Sequence, residues 1–139
     1  MGCSIDYADV STTSPTVDQV TYCRDVMYIQ PELEIVPLGY YFDAGLDDVI
    51  RFKFIAKTAD PAFLFDASHV DATTFTGDFD PSALKPKAAE PWWDLSSQQL
   101  SGASFSVPPP KSKGWRGLNI AYTENDDGTL TVYVLWFET

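Results

Sequence analysis

Few residues in this chain carry the chemistry to act on a substrate: one histidine, His69, and two cysteines, Cys3 and Cys23. A histidine works as a general base when a partner orients its ring, and a cysteine as a nucleophile when a base draws off its proton. Nothing in the spacing of Cys23 and His69 marks such a pair. Cys23 therefore reads either as the disulfide partner of Cys3 or as a buried apolar residue, and His69 as a helix end or a satisfied polar site. The twenty carboxylates are too many for one pair to stand out as a glycosidase acid and nucleophile, since their separation in space is what decides that reaction. Asp78 with Asp80, and Asp126 with Asp127, offer oxygens to calcium, but neither pair continues into the alternating ligands of an EF-hand loop. Solvated turns account for both pairs. A glycine-rich phosphate loop, a nucleophile elbow, a zinc motif and a paired-cysteine motif are all missing from the sequence. It therefore implies no catalytic residue, no metal and no cofactor.

Binding is better represented than catalysis. From Thr58 to Leu84 there is no Lys or Arg, while Asp60, Asp66, Asp71, Asp78 and Asp80 supply five negative charges. Asp66, Asp71, Asp78 and Asp80 are candidates for meeting a partner with a basic surface, set against the plainer reading of a solvated face. Trp92 and Trp93, after Pro91, are candidates for an aromatic platform. Neighbouring residues of an extended segment point in opposite directions, so one of the two rings should anchor the loop and only the other be free.

Composition sets the frame for these residues. A chain of 139 residues suits one domain with a real core. Nine Phe, seven Tyr and four Trp suggest a β-rich core. The net charge of -11 disfavours nucleic acid and anionic lipid as partners. No stretch has the ~20 apolar residues that span a bilayer, so contact with a membrane is expected only through a lipid anchor.

The expected fold is α+β: an antiparallel sheet of about five strands with a C-terminal hairpin, one short helix and a long Pro-rich loop. Residues 1–18 read as a flexible tether and 19–139 as the globular domain, because Ser4 to Asp18 lacks apolar periodicity. Val17 to Ile29 reads as a bent strand or a short helix, with strand preferred. Leu33 to Phe42, interrupted by Pro37 and Gly39, suits an edge or bulged strand. Asp48 to Lys57 alternates, with Ile50, Phe52 and Phe54 on one face and Arg51 and Lys53 on the other, as in a strand with one buried face. Asp60-Pro61 predicts a helix start, with the helix running to about Val70. Asp71 to Lys113 holds six of the ten prolines and reads as a long irregular excursion, pinned by Trp92, Trp93 and Phe105. Val107 to Pro110 within it is expected to be polyproline II. Leu118 to Thr123 and Thr129 to Glu138 form a hairpin around Gly128, whose second strand is apolar on both faces and therefore central.

At the N-terminus Gly2-Cys3-Ser4 resembles the mature end of a bacterial lipoprotein, in which a small residue precedes the acylated cysteine. The resemblance covers these three residues, and Met1 would then stand where a hydrophobic signal segment is expected upstream. It implies that Cys3 is the lipidation site and that the protein is periplasmic, held to the membrane by its lipid. The leading expectation is a non-enzymatic envelope lipoprotein that binds another protein, as an inhibitor, an immunity protein or an accessory subunit. A cytoplasmic acidic inhibitor that mimics nucleic acid is the second reading. A small enzyme with an unmarked site is the third.

Overall fold

The computed structural model describes residues 10–43, 48–84, 91–95, 99–107 and 116–138. They form one helix, α1 (Val17–Val26), and six strands: β1 (Val10–Thr12), β2 (Ile35–Asp43), β3 (Asp48–Ala56), β4 (Ser101–Val107), β5 (Arg116–Glu124) and β6 (Leu130–Glu138). The strands make one antiparallel sheet in the order β1-β2-β3-β6-β5-β4. The fold is thus α+β, with the C-terminal hairpin β5-β6 at the heart of the sheet. Gly128 takes a φ of 84° in the hairpin loop, a left-handed conformation that glycine adopts without steric cost.

Alternation places β6 between two cores. Leu130, Val132, Val134 and Trp136 enter the core that α1 covers, together with Ile50, Phe52 and Phe54 of β3. Tyr133 and Leu135 enter a second core, on the opposite face, with Val49 of β3 and with Leu84, Trp93, Leu95 and Leu100. The single buried face expected for β3 is corrected here, since the excursion covers Val49 on the second face, and Arg51 on that face is only 3% exposed. The Arg51 guanidinium lies over the Tyr41 ring, 5.3 Å from its centroid.

The helix is where the strand was preferred. Thr16 accepts from the Gln19 backbone N–H, and Gln19 accepts from the Thr16 N–H, closing a capping box that starts α1. Cys23, Val26 and Met27 then face the sheet. The segment read as a tether is built into the fold from Val10 onward, because Val10, Ser11 and Thr12 pair with Phe42, Tyr41 and Tyr40. β2 is bulged as expected, its register shifting between Pro37 and Gly39, but β1 on its outer side makes it an internal strand.

The helix expected after Asp60-Pro61 stops after a three-residue 3-10 turn, Pro61–Phe63, which Asp60 caps. Leu64 and Phe65 are drawn into the first core, and the Leu64 carbonyl accepts from Gln30 while Asp66 donates to the Tyr28 carbonyl. Those bonds divert the backbone into a bridge between Phe65 and Ile29. The chain then rounds the β4 edge of the sheet: Phe75 packs on the first core, Thr76 exchanges two bonds with Gly102, and Phe79 packs on the second. The stretch expected to be irregular contains β4 itself, with Phe105 on it. The polyproline segment expected through Pro110 lies outside the described residues after Val107.

Candidate functional site

A surface concavity lies at the C-terminal end of α1. Thr21, Arg24 and Asp25, on one face of α1, and Tyr28 just beyond its end form one wall. Ile29, Pro31 and Asp66 complete a cavity of about 450 Å³. The opposite helix face, through Cys23, Val26 and Met27, is fixed in the core, so the cavity wall is rigidly placed.

The helix ends in a Schellman motif. Ile29 N–H donates to the Arg24 carbonyl at 3.1 Å and Tyr28 N–H to the Asp25 carbonyl at 3.4 Å. The position between them needs a left-handed backbone, ordinarily supplied by glycine, yet here it is Tyr28, with φ 59°. For a residue with a Cβ that conformation costs about 1 to 2 kcal/mol. The Tyr28 ring stacks on His69 with centroids 3.9 Å apart and planes within 5°.

Around this stack sit both signs of charge. Arg24 Nη2 donates to the carbonyls of Gln30, Pro31 and Leu33 at 3.1, 3.1 and 2.7 Å, so its charge ties down the loop after the helix. Asp66 Oδ1 accepts from Ser68 N–H at 3.0 Å and Ser68 O–H at 2.8 Å. These bonds, first the backbone one, hold the Asp66 carboxyl below its ordinary value. His69 Nδ1 lies 3.6 Å from Asp66 Oδ2 and 3.1 Å from Ser68 Oγ. Serine and carboxylate thus share one ring nitrogen. In a Ser-His-Asp relay they occupy opposite nitrogens, so this cluster lacks the geometry of a catalytic triad.

The other acidic candidates are placed separately. Asp71 caps a 3-10 turn through Thr73, whose hydroxyl lies 2.7 Å from Oδ1, and this bond lowers its pKa. Asp80 accepts from Ser82 N–H at 2.9 Å, and Asp78 is exposed in the turn before it. Because Thr76 marks the passage round the β4 edge, Asp66 and Asp71 precede that passage and Asp78 and Asp80 follow it. The four carboxylates decorate a wrap around the sheet and do not converge on one point.

The two tryptophans divide as alternation requires. Trp93, a partner-binding candidate by sequence, is 2% exposed, and its indole N–H donates to the Leu84 carbonyl at 3.0 Å. It is therefore a core anchor, because the excursion is bound to the sheet through it. Trp92 is half-buried, and its six-membered ring occupies the space where a side chain at Gly39 would begin. Lys53 Nζ binds the Trp92 carbonyl at 3.0 Å and Asp94 Oδ1 at 2.8 Å, and Tyr133 O–H donates to the same Asp94 oxygen at 2.9 Å. Both rings thus secure the cover of the second face.

Cys23 is fully buried, and burial pushes its thiol up to about 12. His69, out at the cavity rim, is not its partner. Cys3 lies outside the described residues. Among the described residues no three His, Cys, Asp or Glu side chains are grouped to hold a metal ion, and no helix is long and apolar enough to cross a membrane. Comparison of the chain with protein-family models, with curated proteins and with solved structures returned no significant match.

Proposed function

We propose that this protein is a non-enzymatic binding protein whose partner is a protein with a basic surface. The observation that carries this reading is the wrap from Thr58 to Leu84: five aspartates, no Lys or Arg, and carboxylates held on defined turns. Asp60, Asp66, Asp71 and Asp80 each accept a backbone N–H from two residues further on, which fixes the negative charges in space before a partner arrives. Preorganised charge lowers the ordering cost of association, and a one-sign surface speeds diffusional encounter. The lipoprotein-like Gly2-Cys3-Ser4 supports a lipid-anchored, periplasmic setting for this binding. Incorporation of labelled palmitate that disappears in Cys3→Ser is the result expected there.

The charge reading is tested with the variant carrying Asp66→Asn, Asp71→Asn, Asp78→Asn and Asp80→Asn. Asparagine keeps a side-chain oxygen for each turn, so the fold is retained while four charges go. A partner is isolated by pull-down at low salt, and its association rate is measured at low and high salt. The variant should associate about tenfold or more slowly at low salt and approach wild type at high salt. An unchanged rate at low salt would leave the acidic wrap as a solubility feature.

A further inference from the structure

The cavity at the end of α1 joins three features that together select one kind of ligand. Its carboxylates, Asp25 and Asp66, line the space. Arg24 lines it too, held on three backbone carbonyls, and the three charges together leave one net negative charge. An aromatic ring, Tyr28, lines the wall and is steadied by His69 stacked against it. Asp66 Oδ1 is taken by Ser68, while Oδ2 retains acceptor capacity beside its longer contact with His69. An anion is repelled by this arrangement, and an apolar ligand would strip water from carboxylates without replacing their bonds. A cation is attracted. A planar one gains further, because a guanidinium stacks on an aromatic face and presents a fork of N–H donors to a carboxylate, whereas an ammonium does neither as well.

We propose that this cavity receives the guanidinium of an arginine side chain from the partner protein, stacked on Tyr28 and paired with Asp25 and Asp66. The inference rests on the reading of the acidic wrap as a docking surface and names the anchor within it. Tyrosine at a left-handed helix end, where glycine would be free of strain, agrees with a ring retained for contact.

The probe is N-acetyl-arginine amide, titrated into the full chain while amide and histidine-ring NMR signals are followed. Its uncharged isostere N-acetyl-citrulline amide and the lysine counterpart serve as comparisons. Saturable shifts at Thr21, Asp25, Tyr28 and His69 are expected with arginine, weaker ones with lysine and none with citrulline. Tyr28→Gly, whose backbone suits the helix end, should keep a folded spectrum and bind the probe about tenfold more weakly, as should Asp66→Asn. Non-saturating shifts spread along the wrap, equal shifts with citrulline, or full affinity in folded Tyr28→Gly would overturn the proposal. The two readings fail separately. A partner association rate that responds to Asp71→Asn, Asp78→Asn and Asp80→Asn with Asp66 retained, and no saturation by the probe, removes the cavity and leaves the wrap. Saturation by the probe with an unresponsive association rate removes the wrap and leaves the cavity as an arginine site.

Discussion

The two faces of the sheet are both buried, and they are buried by different means. The first face is covered by α1 and by Leu64, Phe65 and Val70, and its core is a continuous apolar cluster reaching from Cys23 to Trp136. The second is covered by Leu84, Trp93, Leu95 and Leu100 of the excursion, with residues 91–95 in no helix or strand, and polar bonds recur across it: Trp93 to the Leu84 carbonyl, Asn119 to the Ala83 carbonyl, and Lys53 and Tyr133 to Asp94. A helix satisfies its own backbone and needs only an apolar stripe to dock. An irregular segment has backbone groups left over, and side chains of the sheet must meet them. That is why Lys53, Asn119 and Tyr133 occupy positions that apolar residues hold on the first face. The lesson is that a sheet face under a loop has to carry polar anchors, and a charged residue in a strand need not point to solvent.

The largest expected effect separates the faces directly. Trp136 is buried in the first core with the Arg116 guanidinium over its ring at 5.3 Å, and Trp136→Ala should cost ~3 to 5 kcal/mol in denaturant melts. Trp93→Ala removes an equally large ring from the second face, but the cover there can settle into the space, so its loss should be smaller by about 1 kcal/mol or more. Equal losses would mean that the cover is as rigid as the helix face, and the contrast would fall.

A smaller effect tests how the cover is seated. Gly39 leaves room for the Trp92 ring, and a methyl group there would overlap ring carbons. Replacing a strand glycine by alanine ordinarily gains about 0.5 to 1 kcal/mol, whereas overpacking costs about 1 to 3 kcal/mol. Gly39→Ala should therefore destabilise by about 1 kcal/mol and speed amide exchange in residues 91–95, with β6 unaffected. A gain in stability would show that Trp92 yields easily and that the glycine seat is not what holds the cover.

Legibility in the sequence follows the same division. The β5-β6 hairpin, its glycine turn and the two apolar faces of β6 were all readable, because alternation and turn chemistry are local. So was the division of labour between Trp92 and Trp93, which rests only on the geometry of neighbours. The helix is the less favoured of the two readings of its segment because Val17, Val20, Thr21 and Tyr22 favour strands intrinsically, although Thr16 and Gln19 at capping-box spacing carry the contrary signal. The aborted helix at Pro61 could not be foreseen, since the bonds that divert it come from Tyr28 and Gln30. Asp66 was legible as a charge, but its meeting with Thr21, Asp25 and Tyr28 in one cavity was not. A Tyr at a left-handed helix end has no local sequence sign at all.

The smallest effect concerns the polar strap itself. Asp94 is 55% exposed, so its bond to Lys53 is screened by water, and Asp94→Asn should cost under about 1 kcal/mol at neutral pH. Partial burial alone would raise the Asp94 pKa, but the bonds from Lys53 and Tyr133 outweigh it and leave the carboxyl below its ordinary value of 3.8. A carboxyl lowered on folding contributes stability at pH values above its unfolded pKa, and that contribution is lost as pH falls through the folded one. The gap in unfolding free energy between wild type and Asp94→Asn should accordingly be constant near neutrality and close as the pH drops below about 4. General relief of charge repulsion on acidification acts on both proteins nearly alike, so the difference isolates the strap. A gap that stays open at pH 2 would assign the loss to altered packing at residue 94. The polar anchors of the second face would then act as spacers, and the cover would rest on Trp93 and Leu95 alone.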